Sequence, residues 1–163
     1  MQLEKLFKMQ KALDAHIEEK HQLQDEDLFN RKVLALLVEI GELANETRCF
    51  KFWSVKPSSA KEVVLEEFVD GIHFILSLGI ECGFDEKSVL LEEKQLLANV
   101  NEQFLLVYEM ICSFRTSKEI NDFIRLFEAY FHLASLLGLT KKEIEQAYFK
   151  KNEVNYVRQQ NNY

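Results

Sequence analysis

The sequence predicts an all-α fold, a helical bundle of about six or seven helices. Apolar residues recur three and four positions apart along most of the chain, which is the spacing of one helix face. Only one proline and five glycines interrupt the 163 residues. No stretch alternates apolar and polar residues for long enough to indicate a sheet. The length suits one domain, which we expect to span residues 1–163.

The first three helices follow from this periodicity and its interruptions. The first is predicted by apolar residues on one face, Leu3, Leu6, Phe7, Leu13 and Ile17. The second is predicted by Leu28, Val33, Leu34, Leu37, Ile40 and Leu43. The segment FKFWSVKPSS then breaks the pattern. Ser59 and Glu62 have the spacing of a capping box, so we expect a buried third helix over 63–80, ended by Gly83.

The remainder of the chain predicts four more helices. The fourth follows Asp85, a suitable cap, and the fifth spans the apolar run 104–114. The last two are predicted by capping boxes, in which a hydroxyl and a carboxylate satisfy free N–H groups of the first turn. These pairs are Thr116 with Glu119 and Thr140 with Glu143. Gly138 closes the sixth helix, and the seventh reaches about residue 158.

Charge and hydropathy exclude two classes of partner. Lys plus Arg number 20 against 27 Asp plus Glu, which gives a net charge of −7, and no long basic stripe is present. Duplex nucleic acid is therefore not an expected partner. The N-terminal MQLEKLFKMQ is charged and amphipathic, unlike a signal peptide, and no apolar run is long enough to span a membrane.

The cysteines indicate a reducing compartment. Cys49, Cys82 and Cys112 are odd in number and widely separated, and none forms a C-x-x-C pair. We expect free, buried thiols rather than disulfides or a zinc site. Together with the absence of a membrane segment, this predicts a cytoplasmic protein.

The acidic residues form two pairs with the same spacing on neighbouring predicted helices. Glu39 and Glu42 lie in LLVEIGELANE, and Glu67 and Asp70 lie in LEEFVDGIHF. Residues three apart share a helix face, so each pair presents two carboxylates side by side among core-type residues. Two carboxylates about 5 Å apart repel by roughly 3 kcal/mol at an effective dielectric of about 20. A neutralising partner is therefore expected.

The residue types favour a hard divalent cation as that partner. A shared proton or a basic side chain would also serve, but no arginine lies between Arg48 and Arg115. All the ligands are oxygen atoms, with no His or Cys at ligand spacing, which favours Mg²⁺ over Zn²⁺. Because Mg²⁺ completes its shell with water and phosphate oxygens, the pattern indicates a phosphate site. A solvated acidic face supported by lysines is the structural alternative.

Four segments, in this order, resemble the dimeric all-α dUTPases of bacteria and phages, which are relatives of MazG-like pyrophosphohydrolases. They are EIGELANE, FKFW, EEFVDGIHF and YFKKNEVNYVRQQNNY. The resemblance runs from Gln10 to Tyr163, and the order of the motifs is more specific than any single one. It implies a MazG-like helical fold and an intertwined homodimer.

The resemblance also implies an enzyme that converts dUTP and water to dUMP and pyrophosphate. Glu39, Glu42, Glu67 and Asp70 match the family's metal ligands, with more than one Mg²⁺ expected in each site. A metal-held water would attack the α-phosphorus, and the ions would offset charge on the leaving pyrophosphate. Of the four acids, Glu42 is predicted to orient or deprotonate that water.

The predicted uracil pocket combines residues of the first and third helices. His73 and Phe74 share a face with Asp70, and similar residues in the family line the uracil pocket, where a ring stacks on the base and polar groups satisfy its edge. Core packing of Phe74 and a buried, hydrogen-bonded His73 are the alternatives. Gln10 and Asp14 match positions that contact the nucleoside, and many relatives have Asn at the position of Asp14.

Two further segments are predicted to contact the nucleotide. Trp53, the only tryptophan, lies between the second and third helices, where it closes over the nucleotide or plugs the loop. The C-terminal segment carries cations and amides that suit the β- and γ-phosphates. By resemblance these contacts are Lys151, Asn152, Asn155, Arg158 and Tyr163. The alternative is a solvated helix end whose cations complement the helix dipole.

Two other functions compete with dUTP hydrolysis. A related pyrophosphohydrolase specific for dCTP, or active on a broad range of triphosphates, fits the same four carboxylates, because only the pocket selects the base. A non-enzymatic helical interaction protein is the second alternative, with the acidic pairs on its surface and apolar helix faces that bind a partner.

Overall fold

In the computed structural model, which describes residues 2–87, 89, 91 and 99–161, the chain forms six helices and no strand. The helices are α1 (Leu3–His21), α2 (Phe29–Thr47), α3 (Lys61–Glu81), α4 (Val100–Ser117), α5 (Ile120–Leu136) and α6 (Lys141–Gln160). They confirm the predicted all-α fold. None of the six combines the length and the apolar composition that a bilayer-spanning helix needs.

The central helix of the bundle is α3, and its composition explains why. Eleven of its 21 residues are buried, and α1, α2, α5 and α6 all pack against it. The neighbouring α2 runs antiparallel to it. Lys32 near the start of α2 pairs with Glu81 at the end of α3, whereas Glu46 near the end of α2 binds Ser59 just before α3. The two carboxylate-bearing helices therefore face each other along their length.

The first helix runs parallel to α3 and brings polar side chains to it. Gln10 lies beside His73, and Asp14, one turn later, lies beside Ser77, one turn later on α3. The last helix packs against both α1 and α3. As a result, α1, α2, α3 and α6 surround a common volume.

The contact between α3 and α5 depends on a glycine. The ring of Tyr130 stacks on Phe68 with centroids 4.2 Å apart, and its hydroxyl donates to the Phe68 carbonyl at 2.8 Å. A Cβ at Gly71 would lie 2.8 Å from Tyr130 Cζ. Gly71 therefore lets this aromatic pair form at the centre of the bundle.

Several predicted helix ends are confirmed. Gly83 and Gly138 both have φ of +70° one residue beyond a helix's C-cap, where glycine adopts the left-handed conformation at little cost. At the start of α6, Thr140 Oγ1 accepts from the Glu143 N–H at 3.3 Å, and Glu143 Oε2 accepts from the Thr140 N–H at 2.8 Å. This is the predicted capping box.

Two predicted capping boxes are wrong. The N-cap of α3 is Ala60, and the Ser59 hydroxyl instead donates to the Glu46 carboxylate, a charge-assisted bond that ties the loop to α2. Thr116 lies in the last turn of α4, where its hydroxyl donates to the Cys112 carbonyl at 3.1 Å. Both hydroxyls have found acceptors outside the helix start, as serine and threonine often do.

Two other expectations concern the middle of the chain and the thiols. The predicted fourth helix after Asp85 falls largely on residues 88, 90 and 92–98, which lie outside the described residues, and residues 85–87, 89 and 91 are not helical. All three cysteines carry free thiols. The prediction that they are buried is wrong, because Cys112 is exposed and Cys49 and Cys82 are half-buried.

Candidate active site

The antiparallel pairing of α2 and α3 brings three predicted ligands into one group. One carboxylate oxygen from each of Glu39, Glu67 and Asp70 lies within 4.8 Å of the other two. Spacing of three residues directs Glu67 and Asp70 to the same side of α3, towards α2. All three side chains are half-buried, so water screens their charges only in part.

Glu42, the fourth predicted ligand, lies outside this close group. Its residue is exposed, one turn after Glu39 on α2. Its charge is nevertheless near enough to raise the pKa of both Glu39 and Glu67. The structure thus brings three of the four acids together and leaves Glu42 at their solvent side.

The pKa values of the group show that its negative charge is only partly neutralised. Burial, followed by repulsion from Asp70, Glu42 and Glu67, raises the pKa of Glu39 to about 7. Burial and neighbouring carboxylates also raise the pKa of Glu67. The pKa of Asp70 is raised by burial even though Lys151 opposes the shift. A divalent cation would relieve this repulsion, and a cluster of carboxylate oxygens suits a hard cation such as Mg²⁺.

Lys151 of α6 is the basic side chain that reaches the carboxylates. Its ammonium lies 2.7 Å from Asp70 Oδ2 and 2.8 Å from Glu66 Oε1. Glu66 was not predicted as a site residue. It precedes Asp70 by one helical turn, and this spacing was the available signal. Hydrogen bonding and charge from Lys151 lower the pKa of Glu66.

A second polar group joins α1, α3 and α6. Gln10 Nε2 donates to Asp14 Oδ1 at 2.7 Å, and the Ser77 hydroxyl donates to Asp14 Oδ2 at 2.6 Å. The Tyr148 hydroxyl donates to Gln10 Oε1 at 2.8 Å, and His73 Nδ1 lies 2.7 Å from the same oxygen. Gln10 therefore links the carboxylate of Asp14 to the imidazole of His73.

This network assigns the tautomer of His73. A carboxylate only accepts hydrogen bonds, so the Gln10 NH₂ faces Asp14 and its oxygen faces His73. Nδ1 must then carry the proton, which makes Nε2 an acceptor. Nε2 is buried and has no hydrogen-bond partner among the described residues. Burial, with the nearby charge of Lys151, lowers the pKa of His73 to about 3, so the ring is neutral at physiological pH.

Both polar groups open on one cavity of about 360 Å³ between α1, α2, α3 and α6. This volume lies within the range of small-molecule sites, about 300–1,000 Å³. Nine predicted residues line it: Gln10, Asp14, Glu39, Asp70, His73, Phe74, Lys151, Asn155 and Arg158. Others that sequence reasoning missed include Lys32, Ser77 and Gln159. Ser77 lies one turn after His73, whereas no local pattern marks Lys32.

Some predicted contacts do not line the cavity. Trp53 is 66% exposed in the loop between α2 and α3. Asn152 is buried, and its Nδ2 has no hydrogen-bond partner among the described residues. Glu42 and Glu67 lie beside the cavity rather than in its lining. Tyr163 lies outside the described residues.

Comparison with known proteins identifies the family of the chain. A family model described as dUTPase matches residues 2–163, nearly the whole chain. No curated protein is similar enough to match. The matched span contains both carboxylate pairs and every described residue of the cavity. The chain therefore belongs to the dimeric all-α dUTPase family and is a dUTP pyrophosphohydrolase, which splits dUTP into dUMP and pyrophosphate.

Proposed function

We propose that dUTP binds in the cavity between α1, α2, α3 and α6, with its uracil beside His73 and Phe74 and its triphosphate beside Glu39, Asp70 and Lys151. The observation that carries this proposal is that the lining combines a neutral acceptor and an aromatic ring with a group of carboxylates and cations. A nucleotide has the same two parts, a flat base and a charged triphosphate.

The unpartnered nitrogen of His73 supports selection of uracil. The N3 atom of uracil carries a proton, whereas N3 of cytosine is an acceptor, so an acceptor at the base edge favours uracil. His73 Nε2 is such an acceptor. A site that offers a buried acceptor discriminates strongly against a base that cannot donate to it. Phe74 supplies an aromatic ring next to His73 in the same lining.

We propose that Glu39, Glu42, Glu67 and Asp70 hold Mg²⁺, with more than one ion in each site. The proximity of three of these carboxylates and the raised pKa of Glu39 support a cation there. Bound Mg²⁺ supplies a Lewis acid that offsets the charge of the triphosphate and makes water more acidic. Glu42, which is exposed beside the group, orients or deprotonates the water that attacks the α-phosphorus.

The residues of α6 bind the β- and γ-phosphates in this proposal. Lys151, Asn155 and Arg158 all line the cavity, and they lie four and three residues apart on one helix face. Their cations and amide donate to phosphate oxygens. Asn152 and Tyr163 complete the contacts from the C-terminal segment, and the buried Asn152 Nδ2, which has no hydrogen-bond partner among the described residues, is an available donor.

The quaternary state and the compartment also belong to the proposal. We propose a homodimer in the cytoplasm. Large exposed apolar side chains on α2 and α4 offer surface for a second subunit, namely Leu34, Val38 and Leu105. Free thiols on all three cysteines suit a reducing compartment. Sedimentation velocity should give twice the mass of the 19.2 kDa chain.

A nucleotide panel tests the base assignment. Pyrophosphate release should be at least about 10²-fold faster, as kcat/KM, for dUTP than for dCTP. The His73→Asn variant should lose most of that preference, because an amide presents a donor as well as an acceptor. Equal rates for dUTP, dCTP and UTP would support a broad-range pyrophosphohydrolase instead and would remove His73 from base selection.

A further inference from the structure

Lys32 is a half-buried lysine at the junction of three helices. Its side chain is 13% exposed, and its ammonium lies 3.0 Å from Glu18 Oε1 on α1 and hydrogen-bonds Glu81 on α3. It also lies 4.0 Å from Asp14 Oδ2. Lys32 lines the cavity, but it belongs to neither of the predicted groups of site residues.

The carboxylate of Asp14 connects this lysine to the base pocket. Its two oxygens accept from Gln10 and Ser77. Burial raises the pKa of Asp14, and the Ser77 bond, the Lys32 charge and the Gln10 bond oppose that shift. Lys32 is thus the counter-charge of a buried carboxylate that needs one to remain an acceptor.

The direction of every hydrogen bond in the pocket follows from Asp14 being a carboxylate. If Asp14 took up a proton, its hydroxyl could donate to the oxygen of Gln10. The Gln10 amide would then turn its NH₂ towards His73, and Nδ1 would have to accept. The remaining proton of the ring would move to Nε2, and the pocket would present a donor where it now presents an acceptor.

We propose that Lys32 is a positioning residue for uracil: its ammonium holds Asp14 as an acceptor, Asp14 orients the Gln10 amide, and Gln10 selects the His73 tautomer whose Nε2 accepts from the base. This role rests on the proposed binding of uracil beside His73. A lysine that only joined α1, α2 and α3 through Glu18 and Glu81 would have no effect on the tautomer of His73.

The ¹⁵N chemical shifts of His73 in the nucleotide-free full chain test the relay directly, with the resonance assigned from a His73→Asn sample. The native protein should show a protonated Nδ1 and an unprotonated Nε2. Lys32→Met should give a protonated Nε2, wholly or in part, whereas Lys32→Arg should retain the native tautomer. Lys61→Met is the matched control, because it breaks an ion pair with Glu143 away from the cavity.

Kinetics provide a second readout. Lys32→Met should raise KM for dUTP by about tenfold or more while kcat changes much less. The reason is that contacts with the base contribute mainly to binding, whereas the carboxylates act on the phosphates. If Lys32→Met does not fold, Lys32→Gln removes the charge but keeps hydrogen bonds to Glu18 and Glu81, and the same results are expected.

Two results would overturn the relay: a protonated Nε2 in the native protein, or an unchanged tautomer in the folded Lys32→Gln variant. Failure of the proposed binding site is a separate outcome. If a non-hydrolysable dUTP analogue leaves the His73 resonances unmoved, the uracil does not bind there, whatever the tautomer measured without nucleotide.

Discussion

The ammonium of Lys151 lies 2.7 Å from Asp70 Oδ2, so a lysine of the last helix neutralises part of the acidic group formed by α2 and α3. Glu66 holds the same ammonium at 2.8 Å. A cation bound by Asp70 would compete for that oxygen, and Glu66 would still retain the lysine. We therefore expect Lys151 to stabilise the metal-free protein and to become available to phosphate when Mg²⁺ binds.

Replacing Lys151 with Met should destabilise the metal-free protein by about 1–2 kcal/mol. Removing one partner of a fully buried ion pair would destabilise the protein more than this. Here Glu66 is 57% exposed and Asp70 18%, so water screens part of the charge that is left unpaired. Urea unfolding in EDTA measures the change. Mg²⁺ should remove most of the deficit, because the cation then neutralises Asp70.

The control for this prediction is Lys61→Met, which also removes a lysine that joins α3 to α6. The Lys61–Glu143 pair is exposed, so its loss should leave the free energy of unfolding nearly unchanged. Equal effects of the two substitutions in EDTA would mean that Lys151 has no special role in the acidic group.

The raised pKa of Glu39 predicts how stability depends on pH. Its value rises from the ordinary 4.5 to about 7 in the folded protein, so the folded state binds this proton more tightly than the unfolded state. Stability should therefore fall as pH rises from about 4.5 to about 7 and change little from this source above that range. Because water screens the half-exposed Glu39 side chain, the expected loss in the free energy of unfolding is only about 1–2 kcal/mol, or about 3–6 °C in Tm.

Thermal melts in EDTA across that range check this dependence. Glu39→Gln should flatten it, because the amide does not titrate. Saturating Mg²⁺ should also flatten it in the native protein, since a cation favours the ionised carboxylate. A native protein whose Tm is equally pH-dependent with and without Mg²⁺ would argue against a cation beside Glu39.

The fold was largely predictable because it depends on a strong and repeated signal. Four of the six helices, α2 to α5, bury apolar residues three and four apart, and those of α3 fill the centre of the bundle. The ends of α3 and α5 depend on single glycines, which are also easy to recognise in the sequence. The Ser59 and Thr116 caps failed because a motif does not reveal whether a hydroxyl has a better acceptor nearby, such as Glu46.

The site was predictable where one helix face determines it and less so where several helices meet. Spacing on α3 was enough to relate Asp70, His73 and Phe74. Lys32 was not predicted because its role depends on a tertiary partner, Asp14 of α1. The spacing of Glu66 and Asp70 indicates a shared helix face, but only the packing of α6 brings Lys151 to Glu66. The direction of the hydrogen bonds at Gln10 likewise exists only once three helices have packed together.

Replacing Glu42 with Gln should lower kcat by about 10² or more, as for a group that acts directly on the attacking water, and leave folding intact. Glu42 is exposed, so an amide there leaves no buried group without a partner. Glu109→Gln, an exposed glutamate on α4 away from the cavity, is the matched control and should keep native kcat. Near-native turnover by Glu42→Gln would transfer the water-activating role to another carboxylate.

Fluorescence of Trp53 should report whether the loop between α2 and α3 closes over the nucleotide. Arg48 holds this loop by bonds to the Ser54 hydroxyl at 2.6 Å and the Lys56 carbonyl at 3.3 Å. Its aromatic tip is nevertheless open to solvent, with Phe52 93% and Trp53 66% exposed. Such exposed aromatic rings are available to cover a base.

A non-hydrolysable dUTP analogue with Mg²⁺ should shift the emission to shorter wavelength and reduce quenching by acrylamide, because closure removes the indole from water. Trp53 is the only tryptophan, so the signal has one source. The analogue in EDTA is the control and should have a smaller effect, since the triphosphate then lacks its counter-ions. If Trp53 stays as accessible to acrylamide in the complex as in the free protein, the loop does not cover the nucleotide, and its aromatic residues must serve a contact outside the cavity.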